Sequence, residues 1–502
     1  MIVLMLGCAG GNDAERTFHH DSDTALGADT GLLSLGEPLA FSDVVIIGGG
    51  ASGLTAAVEA AEVGAEVLIL EREAMLGGAG IYAGNCFGAG TRWQAAAGVT
   101  DSPEAALAEW ADFTNGGDPS HPWVEGFVYG SEETLEWMTD YGADFSIITT
   151  DPGAGETARI HPMSMPGSHP IATLAELLEE DAWLETTAVS LVSEGGAVIG
   201  VEIEQADGSI GWVQAGAVVV ATGGFARDDE RVYEAIPGLL NFPRHTESWL
   251  GMDGNGLDLI EAAGGTLANL ENIGLYAHGI TDANFGSPEV MIVSGLADVI
   301  VVGPHGRRVL NEDDLRGVWA GRIALTEGQL YAVFDNPLWT SRLISGLGYN
   351  YAKVSDSFLS GPEYQQHVPV SSAGDFAALG AHAGIDGDTL LQTVSGYNAM
   401  VLSGTDTDFG KDMAGKLQLM SPPFTAVPLA MGTGKSFGGA ALAEDGGVIG
   451  VDGAAIPGLF AAGEVAGVLG GTHLGQGVSG SITAVIYSGR VAGSGAGAYA
   501  LR

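Results

Sequence analysis

Asp43-Val-Val-Ile-Ile-Gly48-Gly-Gly-Ala-Ser-Gly53 is a short apolar run that stops abruptly at three consecutive glycines. The β-branched residues before the glycines predict a buried strand. Leu54–Val63 has helical spacing, Gly64-Ala65 closes that helix, and Glu66-Val-Leu-Ile-Leu70 predicts a second strand ending at Glu71. The result is a complete βαβ unit with G-x-G-x-x-G between its first strand and its helix, the setting that gives the motif meaning. Gly48 permits the tight turn, Gly50 lets the backbone approach a pyrophosphate, and Gly53 allows close helix–strand packing. Ala51 and Ser52 open the helix, whose first N–H groups and positive dipole end face the phosphates. Glu71 stands where a carboxylate accepts from ribose hydroxyls, which favours FAD or NAD over NADP.

The rest of the chain narrows the class. Its 502 residues suffice for two domains, and no apolar stretch is long enough for a membrane span. Eighty glycines follow no three-residue period, which excludes collagen and leaves clustered nucleotide-binding loops. The net charge is −45, with 63 acidic side chains against 18 basic, four of them lysine. Such a surface repels nucleic acid and anionic membranes, so neither is an expected partner. Two cysteines, Cys8 and Cys86, exclude a zinc site, a disulfide framework and iron–sulfur ligation. No C-x-x-C-H attaches a c-type haem, so any electron relay must come from another molecule. Met1–Gly7 is a short apolar run ending at Cys8, similar to the tail of a bacterial lipoprotein signal. It gives two expectations: an exported lipoprotein of the periplasm or cell envelope with a lipid anchor at Cys8, or a cytoplasmic protein with an N-terminal extension. Residues 9–41 read as a polar linker.

Further along, helices are expected around 103–113 and 121–141, and a hairpin pairs 197–204 with 210–221 across Asp207-Gly208. After Glu71 come Arg72 and then Gly77-Gly78-Ala79-Gly80, running through Ala83 to Gly84. Far away, Ala217–Val220 feeds Ala221-Thr-Gly-Gly224, and Gly458–Ala462 feeds Gly463-Glu464 before a glycine-rich loop and a helix from about Val478. Further segments are Trp137-Met-Thr-Asp-Tyr-Gly-Ala-Asp144, Gly223-Gly-Phe-Ala-Arg227, Asp253-Gly-Asn-Gly256 and Arg307-Arg-Val-Leu-Asn-Glu312. With these motifs, the chain from about Asp43 to its end resembles the fumarate reductase/succinate dehydrogenase flavoprotein superfamily. The resemblance is strongest to the soluble flavocytochrome c type and to 3-ketosteroid dehydrogenases.

That resemblance implies an α/β fold: a Rossmann-like FAD-binding domain with an inserted α+β capping domain. After a signal-like segment and linker (1–42), the FAD domain is assembled from 43–274 and 426–502, and 275–425 forms the cap. It implies FAD as cofactor, lined by Gly48, Gly50, Ala51, Ser52, Gly53, Glu71, Arg72, Gly78, Ala79, Gly80, Ala83 and Gly84. Later contributions are Ala221, Thr222, Gly223, Asp253, Gly463, Glu464, Gly477, Val478 and Ser479. Family members with covalent FAD carry a histidine after the Gly-Gly pair. Ala79-Gly80-Ile81-Tyr82 has none, so non-covalent FAD is expected.

In fumarate reductases hydride passes between flavin N5 and an alkene carbon, and an arginine protonates the neighbouring carbon. The position five residues after Asn311 is Arg316, with Asp313 and Asp314 between. The family's substrate-carboxylate clamp is altered: its histidine corresponds to Lys435, and its arginine, across a one-residue gap, to His473. A third histidine corresponds to Tyr276, or to His278 in the alternative register. Loss of the clamp arginine argues against a compact dicarboxylate such as fumarate. Lys435 as a point charge, and the His473–Gly477 spacing, suit a monocarboxylate or an enone carbonyl. The expected enzyme is an enoate or enone reductase acting on a small molecule, with a separate cytochrome or quinol system exchanging electrons with it. A dehydrogenase or oxidase of a saturated, steroid-like ketone, a non-catalytic flavin electron carrier and, more weakly, an NAD enzyme are the rival readings. His161, which follows Arg159 in a stretch rich in Pro and Gly, is a further candidate; no metal site is expected.

Overall fold

The first strand, β1 (Ala40–Ile47), lies at the centre of a sheet and is parallel to both its neighbours. This structure, a computed structural model, describes residues 36–114, 116–163, 169–242, 244–246, 251–281, 289–292, 299–314, 319–339, 351–353, 371–467 and 478–502. Cys8, Arg316, His473 and Gly477 lie outside the described residues.

After β1 the chain runs through helix α1 (Ala51–Val63) to β2 (Val67–Leu70), the expected βαβ unit. It continues through β3 (Asn85–Phe87), β4 (Ile160–Pro162), β5 (Ala182–Trp183), β6 (Thr187–Glu194), β7 (Ala197–Glu204) and β8 (Ile210–Val220). Near the C-terminus come β9 (Gly447–Ile449), β10 (Ala455–Ala461) and the last helix, α2 (Ile482–Ala500). The central sheet has the order β9-β10-β8-β1-β2-β5, and β6 and β7 extend from β8 as antiparallel strands. The 197–204/210–221 hairpin is therefore present, with Gly208 at positive φ in its turn.

β1 is apolar throughout its second half because both its faces are covered. Val45 and Ile47 pack with Val218 and Val220 in one core cluster. Val44 and Ile46 pack with Ala217 and Val219 in another, against Ala56, Ala57 and Ala60 of α1 and Ile486 and Ala492 of α2. Each such valine or isoleucine, once buried, contributes roughly 1.5–3 kcal/mol.

Two further sheets complete the α/β architecture. One orders the strands Tyr351–Lys353, Glu289–Ile292, Ile273–Thr281, Ala430–Ser436 and Arg244–Thr246. The other is antiparallel: Ile300–Val302, Tyr331–Phe334, Phe424–Pro428 and Ser371–Ala373. Its Ile300, Val302 and Val333 face helices Phe376–Ala383 and Gly387–Ser403 through Phe376, Leu379, Leu390 and Tyr397. Among the described residues, no helix is long and apolar enough to cross a membrane.

Candidate cofactor and active site

The C-terminal ends of β1, β2, β8 and β10 open onto one cavity of about 1020 Å³. This is where an open α/β sheet holds its ligands. Its walls are largely glycine and backbone. Gly48 has φ +104°, and a Cβ there would lie 2.5 Å from the Ala221 carbonyl oxygen, so no other residue fits the turn. A Cβ on Gly53 would collide with the Gly48 carbonyl, so Gly53 serves close packing. Gly50 and Gly84 instead have only open space where a Cβ would stand, so backbone at both positions borders the void.

Helix α1 begins at this wall with Gly50 as N-cap, without a side-chain cap and without an acid in its first turn. Its leading N–H groups thus lack the usual internal partner, the condition that makes a helix N-terminus bind phosphate. Thr222, also on the wall, carries a buried hydroxyl with no partner among the described residues. The volume, the glycine wall and the uncapped helix together fit an FAD.

Most sequence-predicted residues converge here. Gly48, Gly50, Ala51, Ser52, Glu71, Arg72, Gly78, Ala79, Gly80, Ala83 and Gly84 line the cavity, as do Ala221, Thr222, Gly223, Asp253, Lys435, Glu464 and Ser479. Three predicted cofactor residues are described but do not line the cavity. Gly53 packs behind the wall, as just described. Gly463 also stands behind it: a Cβ there would lie 2.4 Å from Ser52 Oγ, and its N–H donates to Ser488 Oγ. Val478 points into an apolar cluster with Phe87, Trp110 and Phe127. Tyr276 does not line this cavity either. Its strand pairs with Ala430–Ser436, and its ring packs on Gly434, beside Lys435.

At the adenosine end, Glu71 accepts from Gly49 N–H at 2.7 Å and from Glu73 N–H at 2.9 Å. A carboxylate retains further lone pairs, so it can still accept from a ribose. Arg72 and Asp253, both on the wall, form an ion pair at 2.6 Å.

At the other end Lys435 Nζ donates to Ser481 Oγ at 3.1 Å. Ser481 is the N-cap residue of α2, yet its side chain does not cap that helix. Asp151 accepts from Ser479 Oγ at 2.7 Å and from Gly153 N–H at 2.9 Å, tying two loops together. Glu464 lies at this end too; burial pushes its carboxyl up to about 7, with the Lys435 charge acting against the rise. Asp151, Asn85 and Ser481 line the site and were not singled out by motif. They come from three segments far apart in sequence, and no local spacing marks them.

Beneath this end, β3 pairs with β4, placing Cys86 opposite His161, and Cys86 bridges to Ser481. Burial pushes the Cys86 thiol up to about 12, so it is an inert packing group. His161 is fully buried and shares hydrogen bonds with Thr91 Oγ1 and the Arg159 carbonyl. It is a supporting residue below the floor, not a group on the cavity wall.

The segment leading to Arg316 is anchored by buried charges. Arg308 forks between Glu312 and Asp406 with contacts of 2.7–3.1 Å, and Lys411 reaches Glu312 at 3.1 Å. Lys416 holds Asp313 at 2.9 Å.

Comparison with known proteins agrees with this geometry. The family model described as FAD binding domain matches residues 43–479. The chain is 31% identical over 472 residues to a fumarate reductase (cytochrome) of Shewanella frigidimarina, covering 91% of this chain and 77% of that one. It is 26% identical to a vinyl phenol reductase of Lactiplantibacillus plantarum, covering 91% and 96%. The open conformation of a flavocytochrome c3 fumarate reductase superposes with a TM-score of 0.68 at 25% identity, covering 93% of this chain and 79% of that one.

Proposed function

The chain belongs to the FAD binding domain family, within the fumarate reductase/succinate dehydrogenase flavoprotein superfamily, and from that premise we propose that it reduces an alkene activated by one carbonyl or carboxylate. It is an FAD-dependent oxidoreductase acting on a carbon–carbon bond. Bound FAD supplies the hydride chemistry; the chain supplies binding, charge and protons. The observation that carries the narrower reading is Lys435, a cation without a second charged clamp residue in the matching loop, where His473 replaces arginine.

In this reading α1 holds the pyrophosphate on its uncapped N-terminus, and Glu71 fixes the adenosine ribose. Lys435 settles a single substrate oxygen as a point charge, and Tyr276 shapes the wall beside it. Arg316 delivers the proton, on a segment whose root Arg308, Lys411 and Lys416 hold in place. Residues 275–425 act as the cap over the substrate. Relatives reducing fumarate and vinyl phenol bracket the substrate class, from a dicarboxylate to a molecule with no carboxylate. Electrons come from a separate cytochrome- or quinol-linked donor, and Cys8 provides a lipid anchor in the cell envelope.

The test is anaerobic reoxidation of the reduced protein, followed at the flavin absorbance band. Enoates with one carboxylate, or enones, are expected to reoxidise it at least tenfold faster than fumarate. Fumarate as the fastest oxidant would overturn the single-oxygen reading. Silence from every alkene would overturn the reductase reading itself.

A further inference from the structure

Lys411 and Lys416 each hold a carboxylate, at 3.1 and 2.9 Å. Lys435 differs. Among the described residues it has no carboxylate within ion-pair distance, and its ammonium donates to a neutral hydroxyl, Ser481 Oγ. In a chain with 63 acidic residues, an ammonium without such a partner on a cavity wall is a cation kept for a ligand. Glu464, which feels this charge, is pushed up to about 7 by burial and does not neutralise it fully near neutral pH.

The position of this charge is also unusual. Ser481 begins a 19-residue helix, and a cation belongs at a helix C-terminus, not beside its positive end. Placing Lys435 there costs electrostatic energy unless negative charge lies beside both. Asp151 and Glu464 border this end and offset part of that cost, yet neither pairs with Lys435. The cavity offers one source of that charge. With α1 at the pyrophosphate and Glu71 at the ribose, the opposite end, walled by Lys435, Ser479 and Ser481, takes the flavin ring.

We propose that Lys435 sets the redox poise of the bound cofactor, its ammonium stabilising the negative charge the ring gains on reduction. Adding two electrons and one proton leaves the cofactor one unit more negative, and Lys435 meets that unit across the cavity. Lys435 thereby favours the reduced state and makes the enzyme easier to charge by a weak donor. This inference rests on FAD occupying the cavity and is independent of which alkene is reduced.

The experiment titrates FAD-loaded wild type, Lys435→Met, Lys435→Gln and Lys435→Arg with xanthine and xanthine oxidase against a reference dye. All four are measured anaerobically, at one pH and without alkene. The Met and Gln variants are expected to bind FAD stoichiometrically and to lose at least tenfold in the reduction equilibrium, about 30 mV for a two-electron couple. The Arg variant is expected to stay within threefold of wild type. Gln keeps a hydrogen-bond donor for Ser481 without the charge, so it replaces Met if that variant loses FAD. Wild-type potential in a charge-free variant that holds FAD overturns the proposal. So does a variant that keeps the potential but loses affinity for acrylate relative to acrylamide, which would assign the charge to substrate alone. A protein that no alkene reoxidises would end the reductase reading and leave this titration standing.

Discussion

His161 sits opposite Cys86 in the β3–β4 pair, fully buried, in T-shaped contact with Trp93 and Phe145, ring centroids 6.2 Å apart in each case. A neutral ring satisfies both neighbours: one nitrogen donates to the Arg159 carbonyl and the other accepts from Thr91. Burial lowers its pKa from 6.5 to about 4, partly opposed by the Arg159 carbonyl. The unfolded chain therefore binds a proton that the folded protein refuses. This contribution is fully present above about 6.5 and is lost as pH falls towards 4. At 1.36 kcal/mol per unit it amounts to roughly 3 kcal/mol. We expect urea unfolding of wild type to show a steeper loss of stability from pH 7 to 4.5 than His161→Asn, by about one proton. Parallel slopes would show that His161 titrates normally. The histidine was legible in the sequence as a candidate, but its depth was not, because burial here comes from Thr91 and Trp93 on another segment. Gly48, Gly50 and Gly53 were legible because each requirement is local: a positive φ, an open wall, a carbonyl too close for a side chain.

At the level of elements, α2 is the least expected by propensity. Gly489, Gly493, Gly495 and Gly497 lie within it, and each costs up to about 1 kcal/mol relative to alanine. Contact with α1 explains Gly489, Gly493 and Gly497, whereas Gly495 faces the Asp445 carbonyl. A Cβ on Gly489 would lie 2.6 Å from the Ser52 carbonyl oxygen, and one on Gly493 would lie 2.3 Å from that of Ala56. The helices touch backbone to backbone, which fixes α1, and with it the phosphate-binding N-terminus. Gly493→Ala is expected to cost about 1–3 kcal/mol by forcing the helices apart. It should also lower FAD content by tilting the start of α1. Melting temperature and the flavin-to-protein absorbance ratio check both effects. Normal FAD content in a destabilised variant would separate packing from cofactor binding. The βαβ unit was readable because strand, turn and helix are contiguous. The helix expected from about Val478 begins at Ile482, because Ser479 and Ser481 both offer N-cap side chains, and the Ser481 hydroxyl accepts from Lys435 rather than capping the helix.

Over the whole molecule, charge governs how the cofactor arrives. FAD is an anion, and it must approach a protein of net charge −45. The cavity itself carries Glu71, Glu73, Asp151, Asp253 and Glu464 on its wall against Arg72 and Lys435. Arg72 is already engaged by Asp253. Close contacts at the N-terminus of α1 attract the pyrophosphate at short range, whereas the net field repels it from afar. Salt separates the two, since the screening length shrinks from about 30 Å at 0.01 M to about 3 Å at 1 M, while contacts inside the cavity are screened much less. The sequence already held this balance in its composition, but which charges line the cavity depends on loops brought together from residues 71–73, 151, 253, 435 and 464. The middle of the chain was read least well, because its strands pair across long gaps, as Ile273–Thr281 does with Ala430–Ser436. Apoprotein mixed with FAD in a stopped-flow fluorescence experiment should associate several-fold faster at 0.5 M than at 0.02 M sodium chloride. A basic nucleotide-binding protein would show the opposite. If association slows with salt here as well, the field at the cavity mouth is positive despite the net charge, and Arg72 and Lys435 outweigh the acidic surface.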